Sequence, residues 1–189
     1  MPGTVYRILS IIRGTTVDGP GFRTSIYFAG CCHRCKGCHN PESWNFEGGT
    51  EMSLEEIMEA VREEDFDVTF SGGDPLLHKS DIRVLEEAIA AEGKRIWIYT
   101  GFTWEEIMRS ERLRRLVALA ETVIEGRYME SLRDPDLIFR GSSNQRMMHP
   151  GEYMNREGHL LSPEHGCEYQ EDRIDLKTAD KHDERQDPF

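Results

Sequence analysis

Thr24-Ser25-Ile26-Tyr27-Phe28 runs directly into Ala29-Gly30-Cys31-Cys32-His33-Arg34-Cys35-Lys36-Gly37-Cys38, and further on Val68-Thr69-Phe70 runs directly into Ser71-Gly72-Gly73-Asp74-Pro75. Both openings are β-branched and aromatic, as strands are, and both end in loop residues. Between them Ser53 opens a helix, with Glu56 placed for a capping box and Leu54, Ile57, Met58 and Val61 at helical spacing. The same alternation continues. A helix is expected from Asp81 to Ala91 with Ser80 as its cap, then a strand over Arg95 to Tyr99. Thr103 and Glu106 form a second capping box, and helical periodicity runs past a break near Ser110 to Ala120. Thr122 to Glu125 reads as a strand, and Leu137 to Phe139 as a further short one. Upstream, Tyr6 to Ile12 reads as a strand closed by turn residues over Val17 to Gly21.

Alternating strands and helices imply βα units and a mostly parallel sheet. In such sheets ligands gather at the C-terminal ends of the strands, which is where both loops fall. A complete eight-unit barrel takes about 250 residues, more than the 189 here. The expected fold is α/β, a partial and open βα barrel over residues 1–150. Residues 151–189 are expected as a polar, mobile extension, with Asp172 to Phe189 as a solvated tail.

The chain carries a formal charge of −12. Phosphate backbones repel such a surface, so nucleic-acid binding is not expected. Its apolar runs are too short to cross a membrane, and no basic-then-apolar leader opens the sequence. The cytoplasm is the expected compartment.

Four of the five cysteines lie between Cys31 and Cys38, and Cys167 is remote. Such crowding suits metal or redox chemistry better than disulfides. Cys31, Cys35 and Cys38 form a C-x3-C-x2-C triplet that can hold three irons of a [4Fe–4S] cluster and leave the fourth open. A zinc site completed by His33 or His39 is the alternative, although no second cysteine pair is present. Cys32 reads as a bystander and Cys167 as a surface thiol.

At Gly72-Gly73-Asp74, two glycines let a ligand approach the backbone, and carbonyls with a carboxylate can receive an ammonium. A plain strand-to-helix turn capped by Asp74 explains the same residues. Arg140, Ser142, Asn144 and Gln145 suit either a partner groove, a ligand contact or local loop caps. His78, His149, His159 and His165 read as surface histidines, Trp44, Trp97 and Trp104 as core or rim, and Glu55, Glu56, Glu59, Glu63 and Glu64 as a solvated face.

The triplet followed by Ser71-Gly72-Gly73-Asp74-Pro75 resembles the radical S-adenosylmethionine (SAM) enzymes. Val17-Asp18-Gly19-Pro20-Gly21-Phe22-Arg23, Cys38-His39-Asn40-Pro41 and Ser43-Trp44 narrow the resemblance to the glycyl-radical-enzyme activases. Trp97 to Phe102 and Arg140 to Gln145 are most similar to the branch that serves anaerobic ribonucleotide reduction. The resemblance spans Val5 to Arg146 and implies that Cys31, Cys35 and Cys38 bind the cluster. It further implies that Gly72, Gly73 and Asp74 receive the SAM ammonium and that Gly37, Cys38 and His39 run beside the adenine. Relatives often carry an aromatic residue where this chain has Gly37. The implied activity is reductive cleavage of SAM and hydrogen abstraction from a glycine Cα. The implied partners are the glycyl-radical subunit of an anaerobic ribonucleoside-triphosphate reductase and a flavodoxin-type one-electron donor. A pyruvate formate-lyase activase is the near alternative, and a non-catalytic zinc-binding module is the distant one.

Overall fold

The computed structural model describes residues 4–162. Seven strands form one open sheet: β1 (Val5–Thr15), β2 (Arg23–Phe28), β3 (Thr50–Ser53), β4 (Asp67–Gly72), β5 (Ile96–Tyr99), β6 (Thr122–Glu125) and β7 (Arg146–Met148). Their order across the sheet is β3-β1-β2-β4-β5-β6-β7. The central four, β2, β4, β5 and β6, run parallel. The flanking pairings of β1 with β2, β1 with β3 and β6 with β7 are antiparallel.

Parallel neighbours need long crossovers, and helices supply them. Helix α1 (Leu54–Arg62) precedes β4, α2 (Ile82–Ala91) joins β4 to β5, and α3 (Trp104–Arg109) with α4 (Glu111–Val117) joins β5 to β6. Both expected capping boxes are present, Ser53 with Glu56 and Thr103 with Glu106. The break at Ser110 is also present: its backbone is extended, and its side chain accepts from Leu113 N to start α4.

Strand alternation sorts the two sheet faces. Ile26, Phe28, Val68, Phe70, Ile96, Ile98 and Val123 join the apolar core with Ile57, Val61, Leu85, Ile89, Ile107 and Leu116 from the helices. Tyr27, Thr69 and Trp97 point to the other face, where the Val17–Phe22 turn and Phe139 cover them. Tyr27 Oη donates to Asp18, Thr69 Oγ1 donates to Asp18 O at 2.8 Å, and Trp97 meets the Phe139 ring edge-on at 5.4 Å. Arg23 is fully buried there. It donates to Thr69 Oγ1 at 2.6 Å and Val68 O at 2.7 Å, and it sits 5.4 Å over the Trp97 ring.

Some expectations need correction. Asp81, not Ser80, caps α2, because its carboxylate accepts from Arg83 N while the Ser80 hydroxyl turns to Val5 O. Leu137 to Phe139 is a turn region, with Phe139 at φ 59°, and the last strand is β7 instead. β3 and β7 are too short for alternation to reveal; pairing with β1 and β6 creates them. His78 is not a surface residue. It is buried against Tyr6 and Phe28, and its Nε2 accepts from Arg7 N at 2.9 Å.

Residues 151–162 continue on the same body, contrary to the expected mobile extension there. Met154 is buried in the core, and Tyr153 packs edge-on against Trp104 at 5.0 Å. Arg83 donates to Arg156 O at 2.8 Å, and Arg114 donates to Gly158 O at 3.1 Å. The expectations for Asp172 to Phe189, His165 and Cys167 lie outside the described residues. No helix among the described residues is long and apolar enough to cross a membrane.

Candidate functional site

Because β2 and β4 are parallel with Phe28 beside Gly72, the loops that follow them emerge together. Hydrogen bonds then sew them to each other. Gly73 N donates to Phe28 O at 2.7 Å, Asp74 N to Gly30 O at 2.9 Å, and Gly30 N to Ser43 O at 2.8 Å. The fit is close enough that a Cβ on Gly73 would stand 2.3 Å from Gly30 O and 2.9 Å from Ser43 O. This is the physical requirement behind the second glycine: not freedom of φ, but room for another backbone.

The cysteine loop turns back on itself at Gly37 (φ 75°), where Cys38 N donates to Cys35 O at 3.1 Å. Asn40 O then accepts from Ser43 N, and Pro41–Trp44 forms a short 3-10 turn. Cys31, Cys35 and Cys38 are half-buried and free, and Cys32 is exposed. Burial pushes the Cys31 thiol up to about 12, with the negative Asp74 adding to it, while the backbone amides of His33 and Arg34 pull it down. Burial also raises Cys35, against the backbone amide of Tyr128 from the loop after β6. Amides already aimed at sulfur favour thiolate over thiol once a metal replaces the proton.

Asp74 is fully buried and saturated. Its Oδ1 accepts from Leu76 N at 2.9 Å, so the expected local cap is real. The carboxylate also accepts from Thr100 Oγ1 at 2.9 Å and from Gly101 N at 2.9 Å, both in the turn after β5. Its Oδ2 lies 2.8 Å from His33 Nε2, reached from inside the cysteine loop. Residue spacing offered no sign of His33 in this position, because the contact spans β2, β4 and β5.

Other expected residues divide. Glu130 fills the space beside Gly37, where a Cβ would stand 2.9 Å from its Cδ. His39 is exposed. The Arg140 to Gln145 motif knits its own loop. Gln145 Oε1 accepts from Gly141 N at 2.9 Å, and its Nε2 donates to Gly126 O at 3.0 Å. Asn144 Nδ2 donates to Arg127 O at 2.8 Å, and Ser142 Oγ accepts from Met129 N at 3.2 Å. These bonds fix residues 126–129, which include the Tyr128 amide beside Cys35. Arg140 donates to Gln145 O through Nη1, while its buried Nε and the Asn144 Oδ1 have no hydrogen-bond partner among the described residues.

The donor set fits an iron–sulfur cluster. Among the described residues, no three His, Cys, Asp or Glu side chains converge on one point as a single ion requires. Thiolates that bind separate irons of a cube need no such convergence. A mostly parallel α/β sheet thus carries three half-buried, free cysteines in a loop at its C-terminal edge, a donor set of the kind that holds a single iron–sulfur cluster.

Comparison with known proteins agrees. The family described as "4Fe-4S single cluster domain" matches residues 17–148. The anaerobic ribonucleoside-triphosphate reductase-activating protein of Escherichia coli (strain K12) is 35% identical over 143 residues, covering 70% of this chain and 92% of that protein. The proteins of the same name from Pasteurella multocida (strain Pm70) and Enterobacteria phage T4 are each 32% identical, over 68% and 69% of this chain and 88% and 86% of theirs. The chain belongs to this family of reductase-activating, single-cluster proteins. The crystal structure of QueE from Escherichia coli overlaps with a TM-score of 0.45 at 20% identity, over 52% of this chain and 53% of that one.

Proposed function

We propose that this protein is a SAM-dependent activase that generates a glycyl radical on an anaerobic ribonucleoside-triphosphate reductase. The observation that carries the reading is the joined edge. A three-cysteine loop is sewn to a Gly-Gly-Asp turn, in a chain that is 35% identical over 143 residues to a reductase-activating protein. Cys31, Cys35 and Cys38 would hold a [4Fe–4S] cluster, which supplies one electron and an open iron for the amino and carboxylate groups of SAM.

The remaining work falls to the chain. The backbone at Gly72 and Gly73 would take the SAM ammonium, with the negative charge of Asp74 behind it. Gly37 to His39 would lie along the adenine. The Tyr128, His33 and Arg34 amides stabilise sulfur in its charged form. The turns at Thr100 to Phe102 and Gly126 to Met129 flank the site, through Gly101 on Asp74 and Tyr128 on Cys35. No general acid or base is needed, since the reaction moves electrons and a hydrogen atom. A flavodoxin-type donor and a cytoplasmic location belong to the same proposal.

Anaerobic reconstitution with iron and sulfide, followed by reduction and addition of SAM, tests it. A brown protein that releases 5′-deoxyadenosine is expected, and absence of both would end the reading. Adding the reductase should give a glycyl-radical resonance, whereas adding pyruvate formate-lyase should not.

A further inference from the structure

His33 sits between two cluster cysteines, yet it points away from them. Its Nε2 is 2.8 Å from Asp74 Oδ2, and its side chain is 5% exposed. The ring lies on Gly101, where a Cβ would stand 2.3 Å from its Cδ2, and it meets the Phe102 ring edge-on at 5.0 Å. A carboxylate only accepts, so Nε2 is the donor. Asp74 in turn holds Leu76 N, Thr100 Oγ1 and Gly101 N. One imidazole and one carboxylate thus join three loops of the sheet edge, after β2, β4 and β5.

We propose that His33 is a positioning residue that fixes the Cys31–Cys35 loop through Asp74, and that the Asp74 carboxylate serves this scaffold rather than contacting ligand. The chemistry supports this division. Asp74 is fully buried beneath His33, and its oxygens already receive donors from four residues. An arriving ammonium would have to displace one of them from a buried carboxylate, which is costly. The bare Cα of Gly101 then has a purpose, since any side chain there would expel the imidazole.

The inference rests on the proposed function only for what the cysteines hold, and its first test needs no cluster. Cysteine alkylation in the full-length apo protein should be followed by mass spectrometry for wild type, His33→Ala and His33→Gln. His33→Ala should label Cys31 and Cys35 about tenfold faster, the scale of one charge-assisted hydrogen bond. His33→Gln, which can place an amide nitrogen near the Nε2 position, should return most of the protection. After reconstitution His33→Ala should retain less iron, with SAM affinity of the loaded fraction no better than wild type. Unchanged labelling in His33→Ala, equal acceleration in both variants, or tighter SAM binding in His33→Ala would overturn the proposal. The last result would make His33 a competitor for Asp74. If His33→Ala does not fold, wild type decides by hydrogen exchange. The Gly101 amide and the His33 Nε2 proton should both be protected, and rapid exchange of both would refute the brace. A wild-type protein that takes up no cluster but passes the alkylation test would sink the proposed function and leave this inference standing.

Discussion

Gly73→Ala tests how tightly the two site loops are joined. The new Cβ would stand 2.3 Å from Gly30 O, 2.7 Å from Gly30 C and 2.9 Å from Ser43 O. All three neighbours are backbone, so no side chain can rotate away. Relief requires the two loops to separate, which disturbs the bonds Gly73 N to Phe28 O, Asp74 N to Gly30 O and Gly30 N to Ser43 O. At about 1 kcal/mol net for each of the three bonds, and about 1–3 kcal/mol for overpacking, the cost is about 4–6 kcal/mol. For a chain of this size that lowers Tm by roughly 8–24 °C. The assay is thermal and urea unfolding of the apo protein under reducing conditions. Gly151→Ala, with open space around its Cβ position, serves as control and should stay within about 0.5 kcal/mol of wild type. A Gly73→Ala protein as stable as that control would refute the close-approach argument.

Three further outcomes are expected. Glu86 is fully buried, and its carboxylate has no hydrogen-bond partner among the described residues; burial pushes its pKa well above the ordinary 4.5, against a partial pull from Arg83. The folded state therefore keeps a proton that the unfolded chain releases, and stability falls as pH rises above that value, by up to about 1.4 kcal/mol per unit. Glu86→Gln should gain on wild type in urea midpoints as pH rises above the ordinary carboxylate range; parallel pH profiles would count against this. Met154→Ala should cost about 2–5 kcal/mol, because Met154 lies in the core, and a neutral result would show that the Met154 packing adds nothing to stability. Cys35→Ala should lose cluster and SAM cleavage while Cys32→Ala, altering an exposed thiol, keeps both; equal loss would reassign the ligands.

Much of the fold was legible because its signals are local. The capping boxes at Ser53 and Thr103 lie within single turns, and the helical stripes of α1 and α2 repeat within ten residues or so. The strands leading into the cysteine and Gly-Gly-Asp loops carry their own composition, so the parallel sheet and its ligand edge follow from order alone. β3 and β7 were not legible, since each exists through its partner rather than its own pattern. His78 looked like surface for the same reason: the residues that bury it, Tyr6 and Phe28, are remote in sequence.

By itself, then, the sequence determined the C-x3-C-x2-C triplet, the Gly-Gly-Asp turn, their common edge and the family to which they point. Covalent spacing and short-range periodicity carry that information. Tertiary structure alone decided that Gly73 is needed for the approach of Gly30 O, and that the Tyr128 amide serves Cys35. It also decided that Asp74 is bound by His33, Thr100 and Gly101. Each of these contacts joins loops from different strands, and their proximity is created only when β2, β4, β5 and β6 align side by side.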